Sequence, residues 1–285
     1  MRLASYTVHK RRSYGVVLET GIVDLGARIG TRYPDLRALL EAGAVPEALK
    51  TAEQNSPDVG LDDVDWMPTI PNPDKVICAG VNYKSHLDES GLETKGYPVL
   101  FPRFAATQVG HLQPMVCPRE SEQLDYEGEL VVVIGRAGRR IPEDRALSHI
   151  AGYSIYNEGS VRDWQLHTSQ WTPGKNFAGT GAFGPWLVTS DEISDPYALE
   201  ITTRLNGQVM QQASVGRMLF PIELLVAYIS TFVPLVPGDV IATGTPGGVG
   251  HARKPPVYLK ASDSIEVEIS GIGTLRNPIV KEAEA

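Results

Sequence analysis

The chain has 285 residues, 26 Lys+Arg against 34 Asp+Glu for a formal net charge of -8, and 42% hydrophobic residues. That suffices for one large domain, or a small one beside a larger one, and the acidic balance argues against nucleic acid or an anionic membrane surface as partner. Cys78 and Cys117 make neither a metal pair nor a disulfide framework, no apolar run nears the ~18 residues of a membrane span, and no cleavable leader pattern follows Met1, so a cytoplasmic protein is expected.

Residues 3–8, 14–19 and 21–25 alternate β-rich runs with turn signals and predict a small meander. Residues 33–42 and 47–53 predict helices, the first with Leu36, Leu39 and Leu40 on one face. An acidic stretch, 58–65, leads into Trp66-Met67-Pro68 and Pro71-Asn72-Pro73, which neither a helix nor a central strand tolerates. A boundary is placed there, with residues 1–66 a small N-terminal α+β domain and 67–285 a larger, β-rich one.

In the larger part, residues 76–81 predict a buried strand. Asn82 or Ser85 then caps a short helix on which His86 and Glu89 share a face. Residues 98–101 predict another strand, and 105–118, with Gly110 and two prolines, a loop. Residues 124–135, LDYEGELVVVIG, read as one strand. Side chains two apart in a strand share a face, so Glu127 and Glu129 project together with Gly128 opposite. Like charges side by side at the mouth of an apolar strand repel, and a divalent cation is the simplest compensation. A solvated strand end with two exposed acids is the plainer alternative.

Beyond it come a short helix at 142–149, a strand at 150–156, a glycine-rich loop carrying Lys175, and a hairpin turning at Asn206-Gly207. Residues 220–232 form the clearest helix, 240–243 a strand, 245–250 a glycine-rich loop, and 264–269 and 273–278 two further strands.

Several motifs in this order resemble the fumarylacetoacetate hydrolase family over residues 70–280. They are Asn82-Tyr83 with His86 and Glu89; Asp125-Tyr126-Glu127-Gly128-Glu129; Gly152-Tyr153 through Arg162-Asp163-Trp164-Gln165; Lys175; Gly184-Pro185-Trp186; Pro237-Gly238-Asp239; and Thr243-Gly244-Thr245-Pro246. The resemblance implies a mixed α/β, β-rich fold, a β-sandwich roll around a deep site, with 67–285 as the catalytic domain and a homodimer as the assembly. It implies a divalent metal, Mg²⁺ with Mn²⁺ or Ca²⁺ as alternatives, on Glu127, Glu129 and Glu158. The third position is usually Asp in that family, and the nearest counterpart of a usual lysine after residues 98–101 is Arg103.

The implied substrate is a small anionic 2-oxo acid. The leading expectation is a hydrolase that cleaves a carbon–carbon bond in a β-diketo acid, with His86 as general base, Glu89 orienting it and Lys175 donating to the developing oxyanion. Tyr83, Arg162, Gln165 and Thr245 are expected at the substrate, Thr245 in an anion nest with the amides of Gly247 and Gly248. The other readings are that Arg162 and Gln165 hold the ligands in place, that Arg162 pairs with Asp163 or another acid, and that the Thr245 segment is a plain tight turn. The alternatives are a 2-oxo acid decarboxylase, or a tautomerase or isomerase, on the same metal, and a catalytically silent binding module. Residues 88–95 are expected to act as a lid.

Overall fold

A computed structural model of the chain describes residues 1–92 and 94–283. The strands in chain order are β1 (Arg2–Val8), β2 (Arg11–Leu18), β3 (Gly21–Asp24), β4 (Asp65–Trp66), β5 (Val76–Gly80), β6 (Val99–Arg103), β7 (Gln108–Val109), β8 (Met115–Cys117), β9 (Leu124–Asp125), β10 (Gly128–Ile134), β11 (Ile150–Glu158), β12 (Ser160–Val161), β13 (Gly181–Thr189), β14 (Glu200–Leu205), β15 (Gln208–Ser214), β16 (Val240–Ala242), β17 (Ser264–Ile269) and β18 (Gly273–Lys281). The α-helices are α1 (Leu25–Ile29), α2 (Leu36–Glu41), α3 (Val45–Glu53), α4 (Lys84–Ser90), α5 (Arg162–Gln165), α6 (Thr172–Lys175) and α7 (Ile222–Phe232). The fold is mixed α/β and β-rich, with a small N-terminal region.

An eleven-stranded sheet runs β3-β2-β1-β13-β11-β10-β16-β5-β6, with β4 on β1 and β7 on β13. A five-stranded sheet runs β15-β14-β17-β18-β8. β10 is central and every residue of it is buried. Leu130, Val132 and Ile134 pack with Ile201, Val267 and Leu275 of the five-stranded sheet. Val131 and Val133 face the other way, into a cluster with Leu36, Leu39 and Leu40 of α2. This is the two-residue period of a strand, and each such side chain contributes roughly 1.5–3 kcal/mol when buried.

The N-terminal region is joined to the rest by β1, which pairs with β13. Leu3, Leu25 and Leu39 share one cluster with Val131 and Tyr156, so sheet and core run across residue 66. Among the described residues no helix is long and apolar enough to cross a membrane.

Four local readings are corrected. Residues 124–135 are two strands: β9 pairs with β12 and β10 with β11, because at Tyr126 and Glu127 the backbone amides turn to side chains, Asp125 Oδ1 and Asn157 Oδ1. The expected loop at 105–118 holds β7 and β8, each pairing in parallel with a distant strand. Lys175 closes a short helix, α6, with Pro173 in its first turn. Neither Asn82 nor Ser85 caps α4, whose N-cap is Tyr83. Asn82 instead bonds the carbonyls of Phe220 and Thr243, tying the end of β5 to α7 and β16.

Candidate active site

The register of β10 and β11 builds the acidic cluster. Gly128 pairs with Asn157 and Glu129 with Tyr156, and the Glu158 amide donates to the Glu127 carbonyl at 2.8 Å. Glu127 and Glu129 therefore share the face of Val131, with Gly128 on the opposite face. A Cβ on Gly128 would lie 2.2 Å from Thr203 Oγ1, so only glycine lets the second sheet approach here. The expected pairing of the two acids and close packing at Gly128 are both present. The solvated alternative is absent: Glu127, Glu129 and Glu158 are 4%, 1% and 1% exposed.

Oxygens of Glu127, Glu129 and Glu158 lie within 4.8 Å of one another, a group able to hold a metal ion. Three carboxylates make an all-oxygen set suited to a hard cation. Two observations fit such an ion. Glu158 Oε1 is buried without a hydrogen-bond partner among the described residues. Glu129 accepts one N–H, from Gly244 at 2.8 Å, and pairs with no basic side chain among the described residues. Burial, then Glu158 and Glu127, pushes its carboxyl well up, the state of an acid short of a cation.

Glu127 is held differently. Its Oε1 accepts from Ser160 Oγ at 2.7 Å, and Arg162 Nη2 and Lys175 Nζ lie at 2.8 and 3.0 Å. Burial alone would raise its carboxyl; Arg162, then Lys175 and His86, overcome that and hold it well below the usual range. Lys175 is 2% exposed and bridges Glu127 and Glu158, with Nζ 3.0 Å from Glu158 Oε2. Burial would lower its ammonium, but Glu127 and Glu158 raise it above its ordinary value.

His86 is buried on α4, its Nδ1 2.8 Å from Glu89 Oε1. Glu89 Oε2 accepts the Gly248 N–H at 2.8 Å, which fastens the pair to the glycine-rich loop. The pair is oriented through Nδ1, leaving Nε2 as the nitrogen available for proton transfer. Tyr83 is buried, its hydroxyl without a partner, and burial, then Glu129, pushes it up.

Three residues expected against substrate are turned to the protein. Arg162 donates through Nε to Asp125 Oδ2 and through Nη1 to Gln165 Oε1, at 2.8 and 2.9 Å. Thr245 Oγ1 donates to the Gly128 carbonyl and accepts from Gln211. The amides expected to form an anion nest are used as well: Gly247 donates to Ser85 Oγ and Gly248 to Glu89. Within the expected lid, Asp88–Ser90 end α4, Gly91 is its C-cap at φ 67°, and Glu93 lies outside the described residues.

Other groups at the centre were not singled out from the sequence. Asp125 accepts from the amides of Gly250 and His251 as well as from Arg162, so it pins the glycine-rich loop to β9. Ser160 and Asn157 both serve Glu127. The Cys78 thiol is buried, and burial, then Glu158 and Glu129, raises it. The available signal was position: Asp125, Asn157 and Ser160 each lie within two residues of a carboxylate of the cluster.

The family model described as "Fumarylacetoacetate (FAA) hydrolase C-terminal" matches residues 75–280. The Xenopus laevis protein named "Oxaloacetate tautomerase fahd2, mitochondrial" is 40% identical over 272 residues, 93% of this chain and 85% of its own length. A solved fumarylacetoacetate hydrolase from Exiguobacterium antarcticum is 35% identical with a TM-score of 0.83, covering 99% of this chain and 100% of that one. The maleylpyruvate hydrolase of Sphingobium sp. SYK-6, solved with manganese(II) ion and pyruvate, is 26% identical with a TM-score of 0.83 over 99% of this chain and 100% of that one.

Proposed function

The chain belongs to the fumarylacetoacetate hydrolase family, and from that premise we propose a metal-dependent tautomerase of a small, anionic 2-oxo acid of the oxaloacetate type. The observation that carries this reading is the 40% identity, over 93% of this chain, to a protein named oxaloacetate tautomerase. It supports the tautomerase above the carbon–carbon hydrolase that headed the expectations from sequence.

Glu127, Glu129 and Glu158 would hold a divalent cation, Mg²⁺ in our reading with Mn²⁺ or Ca²⁺ as alternatives, and the ion would supply Lewis-acid charge to the oxygens of the 2-oxo acid. Charge fits the substrate. Buried Asp125, Glu127, Glu129 and Glu158 face buried Arg103, Arg162 and Lys175, so a divalent ion turns a net negative centre positive. His86 Nε2 takes a proton from the carbon beside the 2-oxo group, and the electron pair moves onto the carbonyl oxygen. Lys175 Nζ donates a hydrogen bond to that oxygen as its charge grows. His86 then returns the proton to the oxygen, so no water is consumed. Glu89 keeps the imidazole in one tautomer and offsets its charge. Arg162 and Gln165 act at one remove, holding Glu127 and Asp125; Thr245 braces Gly128. Tyr83 closes the wall beside Glu129.

The His86–Glu89 pair also favours a second reading. An oriented imidazole could instead activate water against a β-diketo acid, the hydrolase of the original expectation. One assay separates them. Purified protein is given the enol form of oxaloacetate, then a panel of acylpyruvates, with Mg²⁺ or with EDTA. The expected result is metal-dependent loss of enol absorbance without release of pyruvate. Cleavage of an acylpyruvate with no effect on the enol would favour the hydrolase, and release of pyruvate from oxaloacetate a decarboxylase.

The same reading includes a homodimer. Tyr97, Phe104 and Phe232 are large apolar side chains 65%, 54% and 59% exposed, which supports a protein partner surface. Light scattering is expected to return twice the chain mass.

A further inference from the structure

Arg103 closes β6, the edge strand of the large sheet, yet it is only 2% exposed. Nη1 donates to the Gly159 carbonyl and Nη2 to Thr180 Oγ1, both at 2.9 Å. Nε is buried without a hydrogen-bond partner among the described residues. Among the described residues its one ion-pair contact is long: Nη1 lies 3.9 Å from Glu158 Oε1, the carboxylate oxygen that itself lacks a hydrogen-bond partner there. The second oxygen of Glu158 is taken by Lys175 at 3.0 Å.

A buried guanidinium is costly unless its charge is met, and two neutral acceptors do not meet it. The charge is matched by the acidic cluster, across a gap too long for a hydrogen bond. The neutral contacts have a separate effect. Gly159 follows Glu158 directly, and a Cβ on it would lie 2.1 Å from the Thr180 carbonyl, so these two segments are in close contact. The planar fork of Arg103 grips both, which a lysine's single nitrogen cannot do in the same geometry. The end of β11 is thereby fixed just where Glu158 leaves it.

We propose that Arg103 is a positioning residue for Glu158: its fork locks the β11 end to the start of β13 and so fixes where the Glu158 carboxylate sits. The proposal rests on the metal-centre reading above. It assigns Arg103 no contact with substrate; its effect passes through Glu158.

The test is a Mn²⁺ titration of the full chain, followed by the electron paramagnetic resonance of free ion, on wild type, R103M and R103K. Melting curves in EDTA are recorded beside it. R103M is expected to bind Mn²⁺ about 10- to 100-fold more weakly, the usual effect of removing a group that orients a ligand. R103K, which keeps the charge but loses the fork, is expected to lie between R103M and wild type. On an E158Q background R103K is expected to cause no further loss, since the route through the carboxylate is already cut. If R103M fails to fold, R103K in the two backgrounds decides alone. Wild-type affinity in R103K and in folded R103M, or the same R103K loss with and without E158Q, overturns the proposal. If wild type itself binds no Mn²⁺, the metal-centre reading fails first and the proposal falls with it.

Discussion

Asp24 and Glu129 are both buried acids, 3% and 1% exposed, and the chain treats them in opposite ways. Asp24 Oδ1 accepts from Ser13 Oγ and from the Ala27 amide at the start of α1, and Oδ2 accepts from Arg11, at 2.5, 2.9 and 2.5 Å. Every oxygen is used, and the result is a capped helix fastened to β2. Glu129 has one backbone amide and two carboxylates for neighbours. A satisfied buried network makes the fold rigid; an unsatisfied one is costly unless a ligand completes it. The difference separates an acid kept for structure from acids kept for chemistry.

The sharpest way to break that contrast is the double substitution E127Q/E129Q. It is expected to abolish Mn²⁺ binding and lower tautomerase turnover by about 10³-fold, the loss of several kcal/mol of transition-state stabilisation. The metal-free E129Q single variant should melt no lower than wild type, because the acid it neutralises has no basic partner among the described residues. E127Q, by contrast, strands buried Arg162 and Lys175 and should melt lower. A large drop in melting temperature for E129Q would instead put Glu129 in the class of Asp24. His86→Ala is expected next, with turnover down about 10²-fold and Mn²⁺ affinity unchanged, read by kinetics beside the same titration.

Asp24→Ala reverses the pattern. Chemical denaturation should show a loss of about 1–3 kcal/mol for the unsatisfied donors and the lost cap, with turnover per folded molecule unchanged. The smallest effect concerns His111, beside Trp66. Burial, then Arg276, lowers its pKa from 6.5 to about 4. Between those values the unfolded chain binds more protons than the folded one, so stability rises with pH through that window. This contribution is present in full above 6.5 and lost as pH falls toward 4. In H111Q the slope of melting temperature against pH should flatten there.

Much of this was legible in the sequence because it rests on local pattern. The apolar run of β10 announces a buried strand, and the two-residue spacing of Glu127 and Glu129 puts both on one face. The i, i+3 spacing on α4 brings His86 to Glu89. What escaped depends on partners far along the chain. β13 was not anticipated because Gly184-Pro185 lies inside it, and its pairing with β11 absorbs the interruption as an irregular register. β7 and β8 are too short to carry a period; their distant parallel partners define them. For Arg162 the resemblance left substrate contact and pairing with an acid both open, and its partner, Asp125, lies 37 residues earlier in the chain. The glycine-rich loop looked like an anion nest until α4 delivered Ser85 and Glu89 to its amides across about 160 residues.

The most direct test of the central claim is to strip the protein with EDTA and follow conversion of enol-oxaloacetate while Mn²⁺ is returned in steps. The account predicts negligible catalysis at the start and activity that climbs in proportion to bound ion, levelling at one per chain. Full activity in the stripped protein, or bound Mn²⁺ that restores none, would contradict it.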